Sequence, residues 1–191
     1  IENHYLKDII DKVQFDSFYH EHLRTYSLKS LIKLLDYYKL RIVDAYTTER
    51  YNGNIQAHFT KSKKTKLSKN VINILAKEKK AKLDSLSTYQ NFSKKIEQAK
   101  SDLFKYLSRY PNSLIIGKSF PARASVILNY FSFLKDKMNF IAEQPTSLKL
   151  NYYIAGTSIK IVDSKILKKL KPKIIIIFAW HLFSEIKNKW K

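Results

Sequence analysis

Between residues 114 and 178, short β-branched runs alternate with stretches of helical periodicity. This alternation constrains the fold more than any other feature of the 191-residue chain. Leu114-Ile115-Ile116-Gly117 reads as a strand ending in glycine, and Asn139 to Ala142 reads as a second short strand. Ile174 to Phe178 reads as a third, with the continuous apolar character of a strand buried on both faces. Pro121 stands where a first-turn helix proline stands, ahead of Ala122, Val126, Ile127 and Leu128. The stretch from Leu182 to Trp190 reads as a closing helix. Strands separated by helices predict a small parallel, Rossmann-like α/β sheet.

The first sixty residues predict helix, strand, helix, strand, strand. Glu2 to Val13 has apolar residues at helical spacing, and Phe15 to Phe18 reads as a strand. Ser27 is placed to cap a helix ending near Lys39. Leu40 to Tyr46 and Ile55 to Phe59 read as strands, with a turn at Asn52-Gly53. This order matches the closing portion of an open α/β sheet. Ser68 then caps a long helix, over about 68–109, with a break near Ser85–Thr88 and an end before Pro111.

Lys and Arg number 36 against 16 acids, a formal charge of +20, and Lys61 to Lys82 hold much of the excess. Such a charge favours polyanions through counterion release. However, the cations are almost all lysine, with arginine only at 24, 41, 50, 109 and 123. Base and phosphate recognition favours arginine forks. We therefore read the charge as solvated surface, with a basic nucleic-acid-binding module as the alternative. No cysteine is present, which excludes disulfides and thiolate-bound zinc within the chain. The longest apolar run, Ile174 to Trp180, is too short to span a membrane. Nothing at the start reads as a signal peptide, and a cytoplasmic setting is expected. The start at Ile1 suggests a fragment or a processed product.

The densest chemistry lies in Phe18-Tyr19-His20-Glu21-His22-Leu23, after a predicted strand end. Imidazole moves protons near neutrality, a carboxylate beside it can fix its tautomer, and a phenol can donate to an oxyanion. A polar surface loop is the plain alternative. An extended segment would also aim His20 and His22 the same way, but no third metal ligand is at hand, so no metal is expected. His4 and His58 are read as incidental. In the second half, Gly117 would admit a ligand close to the backbone. Lys118 and Arg123 would meet a diphosphate near the helix start at Pro121. Trp180 and His181 would either line a substrate cleft or pack.

The stretch from Phe15 through Leu23, followed by Tyr26-Ser27-Leu28, resembles the signature of the sugar C-methyltransferase family, with Tyr19-His20-Glu21-His22 its most specific part. Gly53-Asn54-Ile55 resembles the family's Gly-Gly-Ser turn, with one glycine kept and Gln56 where an arginine is usual. Gly117, Pro121-Ala122-Arg123 and Leu128-Asn129-Tyr130 resemble its C-terminal strand–helix turn, whose Gly-x-Gly reads here Gly117-Lys118-Ser119. Pro145 to Lys149, Gly156-Thr157, Ile159, Phe178 to His181 and Glu185-Ile186 continue the likeness.

The resemblance implies S-adenosylmethionine-dependent C-methylation of a nucleotide-linked 4-keto-deoxysugar, through base-assisted enolate formation. It implies His22 as base, Tyr19 on the ketone oxygen and Glu21 as an orienting group. Gly117, Lys118, Arg123, Asn129, Trp180 and His181 would face the substrate. Residues 1–62 would end the donor-binding domain, and 63–191 would form the C-terminal domain. The zinc module and most of the donor site would lie outside this chain, which would be inactive alone. A fragment, one half of a split enzyme and a degenerate scaffold all stay open.

Overall fold

The computed structural model describes residues 1–62, 64–111 and 114–188. The chain falls into two compact units, Ile1–Gln98 and Ala99–Lys191. The first holds β1 (Glu2–His4), α1 (Leu6–Asp11), α2 (Leu28–Tyr37), β2 (Arg41–Thr48), β3 (Asn54–Thr60) and α3 (Lys69–Lys80). The helix α4 (Leu86–Ser108) runs across the division. The second unit holds β4 (Ile115–Lys118), α5 (Ala124–Tyr130), α6 (Leu134–Lys137), β5 (Met138–Glu143), β6 (Lys160–Asp163), α7 (Ile166–Leu170), β7 (Ile174–Ile177) and α8 (Phe183–Asn188). The fold is mixed α/β.

In the first unit β1, β3 and β2 form an antiparallel sheet in that order. Its inner face supplies Ile42, Ala45, Ile55 and Ala57 to a core closed by Leu28 and Leu31 of α2 and by Val71 and Ile74 of α3. α3 buries its apolar stripe here. Ser27 caps α2 as expected: its Oγ accepts from Ser30 N at 3.1 Å, and Ser30 Oγ accepts from Ser27 N at 2.9 Å. Ser68 caps α3 through Val71 N and also donates to Asp44 of β2 at 2.5 Å. The predicted helix break lies at residues 81–85, where Lys82 takes a left-handed φ of 52°.

Two readings in this unit are corrected. Glu2 to His4 is a strand, and the helix begins only at Leu6. Phe15 to Ser17 is a 3₁₀ turn rather than a strand, with Asp16 and Ser17 buried. The turn at Asn52-Gly53 is present. Gly53 is required there, because a Cβ would lie 2.2 Å from Asp8 Oδ2 and its φ is +139°.

The second unit is a parallel sheet in the order β6-β5-β4-β7, with every pairing parallel. The chain runs outward from β4 through β5 to β6, then returns to place β7 on the opposite side of β4. The strand order therefore reverses between β4 and β7, and ligands in open α/β sheets bind at such a point, beyond the carboxyl ends. The strand β6 was not read from the sequence. β7 lies at the sheet edge and is half-buried along its length, not buried on both faces. α5 starts at Ala124, three residues after Pro121, whose carbonyl accepts from Ala124 N. α8 ends at Asn188, and the predicted continuation to Trp190 lies outside the described residues. Ser113 and Lys63 lie outside them too. Among the described residues no helix is long and apolar enough to cross a membrane.

Candidate functional site

Side chains of a strand alternate between faces, so the sheet register sorts the first unit's polar residues. Glu2 and His4 of β1 pair with Gln56 and Asn54 of β3, and Tyr46 and Thr48 of β2 pair with the same two residues. These residues share the face opposite the core and form one network. The Asn54 amide donates to Glu2 Oε1 at 2.8 Å and the Gln56 amide to Glu2 Oε2 at 3.0 Å. Tyr46 donates to Gln56 Oε1, and Arg50 lies 3.4 Å from Glu2. The Asn54 amide above all, then Gln56 and Arg50, holds the Glu2 carboxyl below its ordinary range, against the opposing effect of partial burial.

The Tyr19–His22 loop lies against the His4 end of this face. Its backbone is a turn, closed by His22 N donating to Tyr19 O at 2.9 Å. The segment is therefore not extended, and the turn brings together Tyr19 and His22 rather than His20 and His22. The rings of Tyr19 and His22 meet edge to face, 5.1 Å apart at 75°. His22 stacks on His4 with centroids 4.3 Å apart and planes at 27°. His4 also lies 5.9 Å from Tyr51, over which Arg50 sits at 5.2 Å. Glu21 accepts from the Tyr19 hydroxyl at 2.9 Å. The carboxylate thus engages the phenol and not the imidazole. His22 and Tyr19 are half-buried, while His20 and Glu21 are exposed. The loop is anchored behind by Phe18, edge-on to Phe92 of α4. No cluster of three metal-ligating side chains occurs among the described residues.

His4 was read as incidental from the sequence, yet it holds the face of the His22 ring. The usable signal was the alternation Glu2-x-His4 against Asn54-x-Gln56-x-His58, a polar strand face.

In the second unit, a cavity of about 800 Å³ opens at the carboxyl ends of β4, β5 and β6. Its wall includes Lys118, Ser119, Gln144, Pro145, Ser164, Lys165 and Lys168, with Leu182, Glu185 and Ile186 beyond β7. Lys118 is only 6% exposed there. Arg123 is buried with its guanidinium 4.7 Å from the Trp180 ring centroid, and His181 meets that ring edge-on at 5.7 Å. These three gather after β4 and β7, flanking the strand reversal.

Gly117 and Asn129 each have close neighbours within the unit. Gly117 does not open the backbone to a ligand on its Cα side: a Cβ there would lie 2.5 Å from Ile141 Cγ1 and 2.9 Å from Phe178 Cε2, so the glycine makes room for the core. Asn129 stands on the last turn of α5. It accepts from Lys135, which also donates to Gly156 O, so it ties α5 to the 156 turn. Ser119 takes a left-handed φ of 60°.

The family model described as "C-methyltransferase C-terminal domain" matches residues 50–191. The chain is similar to the C-methyltransferase NovU of Streptomyces niveus, at 24% identity over 189 residues, covering 97% of this chain and 45% of that protein. It therefore spans a little under half the length of this curated relative. With the matched region running from the β2–β3 turn through the whole parallel sheet, the chain belongs to the C-methyltransferase C-terminal domain family.

Proposed function

We propose that this chain carries the proton-handling loop and the C-terminal domain of a C-methyltransferase that methylates a nucleotide-linked 4-keto-deoxysugar with S-adenosylmethionine. Residues 1–62 end its donor-binding domain and 63–191 form the C-terminal domain. The observation that carries the reading is the half-buried Tyr19–His22 pair, with exposed Glu21 on the Tyr19 hydroxyl, beside a polar sheet face in a chain of this family.

We place the donor cradle mainly outside this chain. Its three glycines back onto Asp8 (Gly53), onto Ile141 and Phe178 (Gly117), and beside Asn129 (Gly156). We assign donor binding to protein outside these residues and draw no step through it. What the chain contributes is proton transfer. A ketone at C4 acidifies the neighbouring C–H, and a neutral His22 imidazole takes that proton. The electron pair moves into the enolate, and the charge growing on the ketone oxygen is met by the Tyr19 hydroxyl. That hydroxyl has one proton and gives it to Glu21 in the structure, so the substrate oxygen must take it over. Exposed Glu21 then turns to water. We assign the diphosphate to Lys118, beside the wall lysines of the cavity, with Arg123, Trp180 and His181 at the strand reversal.

The test is His22→Ala in the full-length enzyme. A positioned general base contributes about 10²- to 10⁴-fold, so turnover falls by that range while donor affinity holds. Turnover within threefold of wild type rejects the assignment. Titration with nucleotide-sugar and with RNA at two salt concentrations separates an enzyme from a polyanion-binding module, because RNA held by lysines is lost steeply with salt.

A further inference from the structure

We infer that His4 is the positioning residue of His22, holding the base by ring stacking where a carboxylate would ordinarily hold it by a hydrogen bond. The inference rests on the reading of His22 as base. An imidazole acting on carbon needs a fixed ring direction, and a positioned base commonly gains it from an acidic or carbonyl partner on its other nitrogen. The carboxylate nearest in sequence, Glu21, is engaged by Tyr19 instead. Among the described residues, the His22 ring is held by two aromatic contacts: its face on His4 and its edge on Tyr19.

The two supports differ in rigidity. Tyr19 belongs to the same loop as His22 and moves with it. His4 sits on β1, whose backbone pairs with β3 through Asn54. Its ring is backed by Tyr51, and Tyr51 by Arg50. His4 is therefore the fixed wall that sets the plane of the base, at 27° between the ring planes. Stacking leaves both His22 nitrogens at the ring rim, where one can receive a proton.

The test compares His4→Leu, which keeps bulk on the strand without a flat face, with His4→Phe, which restores the face. Both are made in the full-length enzyme. A lost aromatic contact of this kind shifts a local equilibrium by roughly two- to tenfold. We expect kcat of His4→Leu to fall by about that factor with KM for the sugar nucleotide unchanged, and His4→Phe to recover it. The His22 ring protons, shielded by the stacked ring in wild type and in His4→Phe, move to solvent-like NMR positions in His4→Leu. If His22→Ala abolishes turnover but His4→Leu matches wild type, or if the wild-type His22 signals are already solvent-like, the positioning role is overturned. If His22→Ala itself leaves turnover intact, the reading of the base fails instead. A KM rise in both His4 variants, with kcat unchanged, makes His4 a binding residue and overturns the inference.

Discussion

Glu78 offers the sharpest test of what joins α3 to α2. It is 4% exposed, and its carboxylate accepts from Leu28 N at 2.6 Å and Lys29 N at 3.0 Å. These are the first two N–H groups of α2, and the Ser27 hydroxyl takes the third. A helix start leaves such donors without partners inside the helix, so a residue fifty positions away completes the cap. In Glu78→Ala the Leu28 N–H stays buried without an acceptor, which costs about 1–3 kcal/mol. Removing a negative group from the positive end of the helix adds about 0.3–1 kcal/mol. Lys29 lies at the surface, and its N–H turns to water. The side chain borders a cavity of about 660 Å³, so water entering there holds the total to roughly 2–3 kcal/mol. Glu78→Gln keeps an oxygen acceptor and loses the charge, costing about 1 kcal/mol. Urea unfolding followed by far-UV ellipticity gives both values from the midpoint at constant slope. Trp180, in the second unit, serves as an internal control that should not move. An Ala variant within 0.5 kcal/mol of wild type (roughly the spread among neutral surface changes) would refute the capping account. So would a Gln variant as unstable as the Ala variant.

Gly117→Ala forces a methyl against Ile141 and Phe178 and should destabilise the second unit by about 1–3 kcal/mol, read by Trp fluorescence during urea unfolding. Ser119→Gly relieves a left-handed φ of 60° and should raise that unit's stability by about 0.5–1 kcal/mol in the same assay. Asp44 is held below its ordinary range, chiefly by the Ser68 hydroxyl and then by Ala45 N and Asn70, and Glu2 by Asn54. Both folded values are depressed, so their contribution is fully present above ordinary values of 3.8 and 4.5 and is lost as pH falls through the folded ones. Amide protection factors along β1 and β2, taken relative to the intrinsic rate at each pH, should therefore fall as pH drops below that window, and Glu2→Gln should flatten the β1 part of the response.

Local chemistry made much of this fold legible. Ser27 and Ser68 announce their helices because a cap needs only the residues beside it. The isoleucine run of β7 and the Leu114–Gly117 run of β4 read as strands on their own. What failed depends on distant partners. Glu2-Asn3-His4 has no apolar alternation and becomes a strand because β3 offers it an edge. Phe15 and Phe18 suggested a strand, but buried Asp16 and Ser17 turn the backbone instead. Only Ile161 and Val162 marked β6, too short a run to stand out. The same holds at the site. Tyr19, Glu21 and His22 are adjacent and were visible together, whereas His4 reaches His22 only through the pairing of β1 with β3.

The four isoleucines of β7 have a practical consequence. The strand's partner on one side is β4, and its outer backbone edge carries neither charge nor proline between Lys173 and Phe178. An apolar edge strand of this kind can template self-addition of further strands when it is uncovered, and Lys171 and Lys173 on its approach are placed to oppose it. Neutralising those two lysines should turn a well-behaved preparation into one that forms β-rich aggregates at rest, with the rim as the seed.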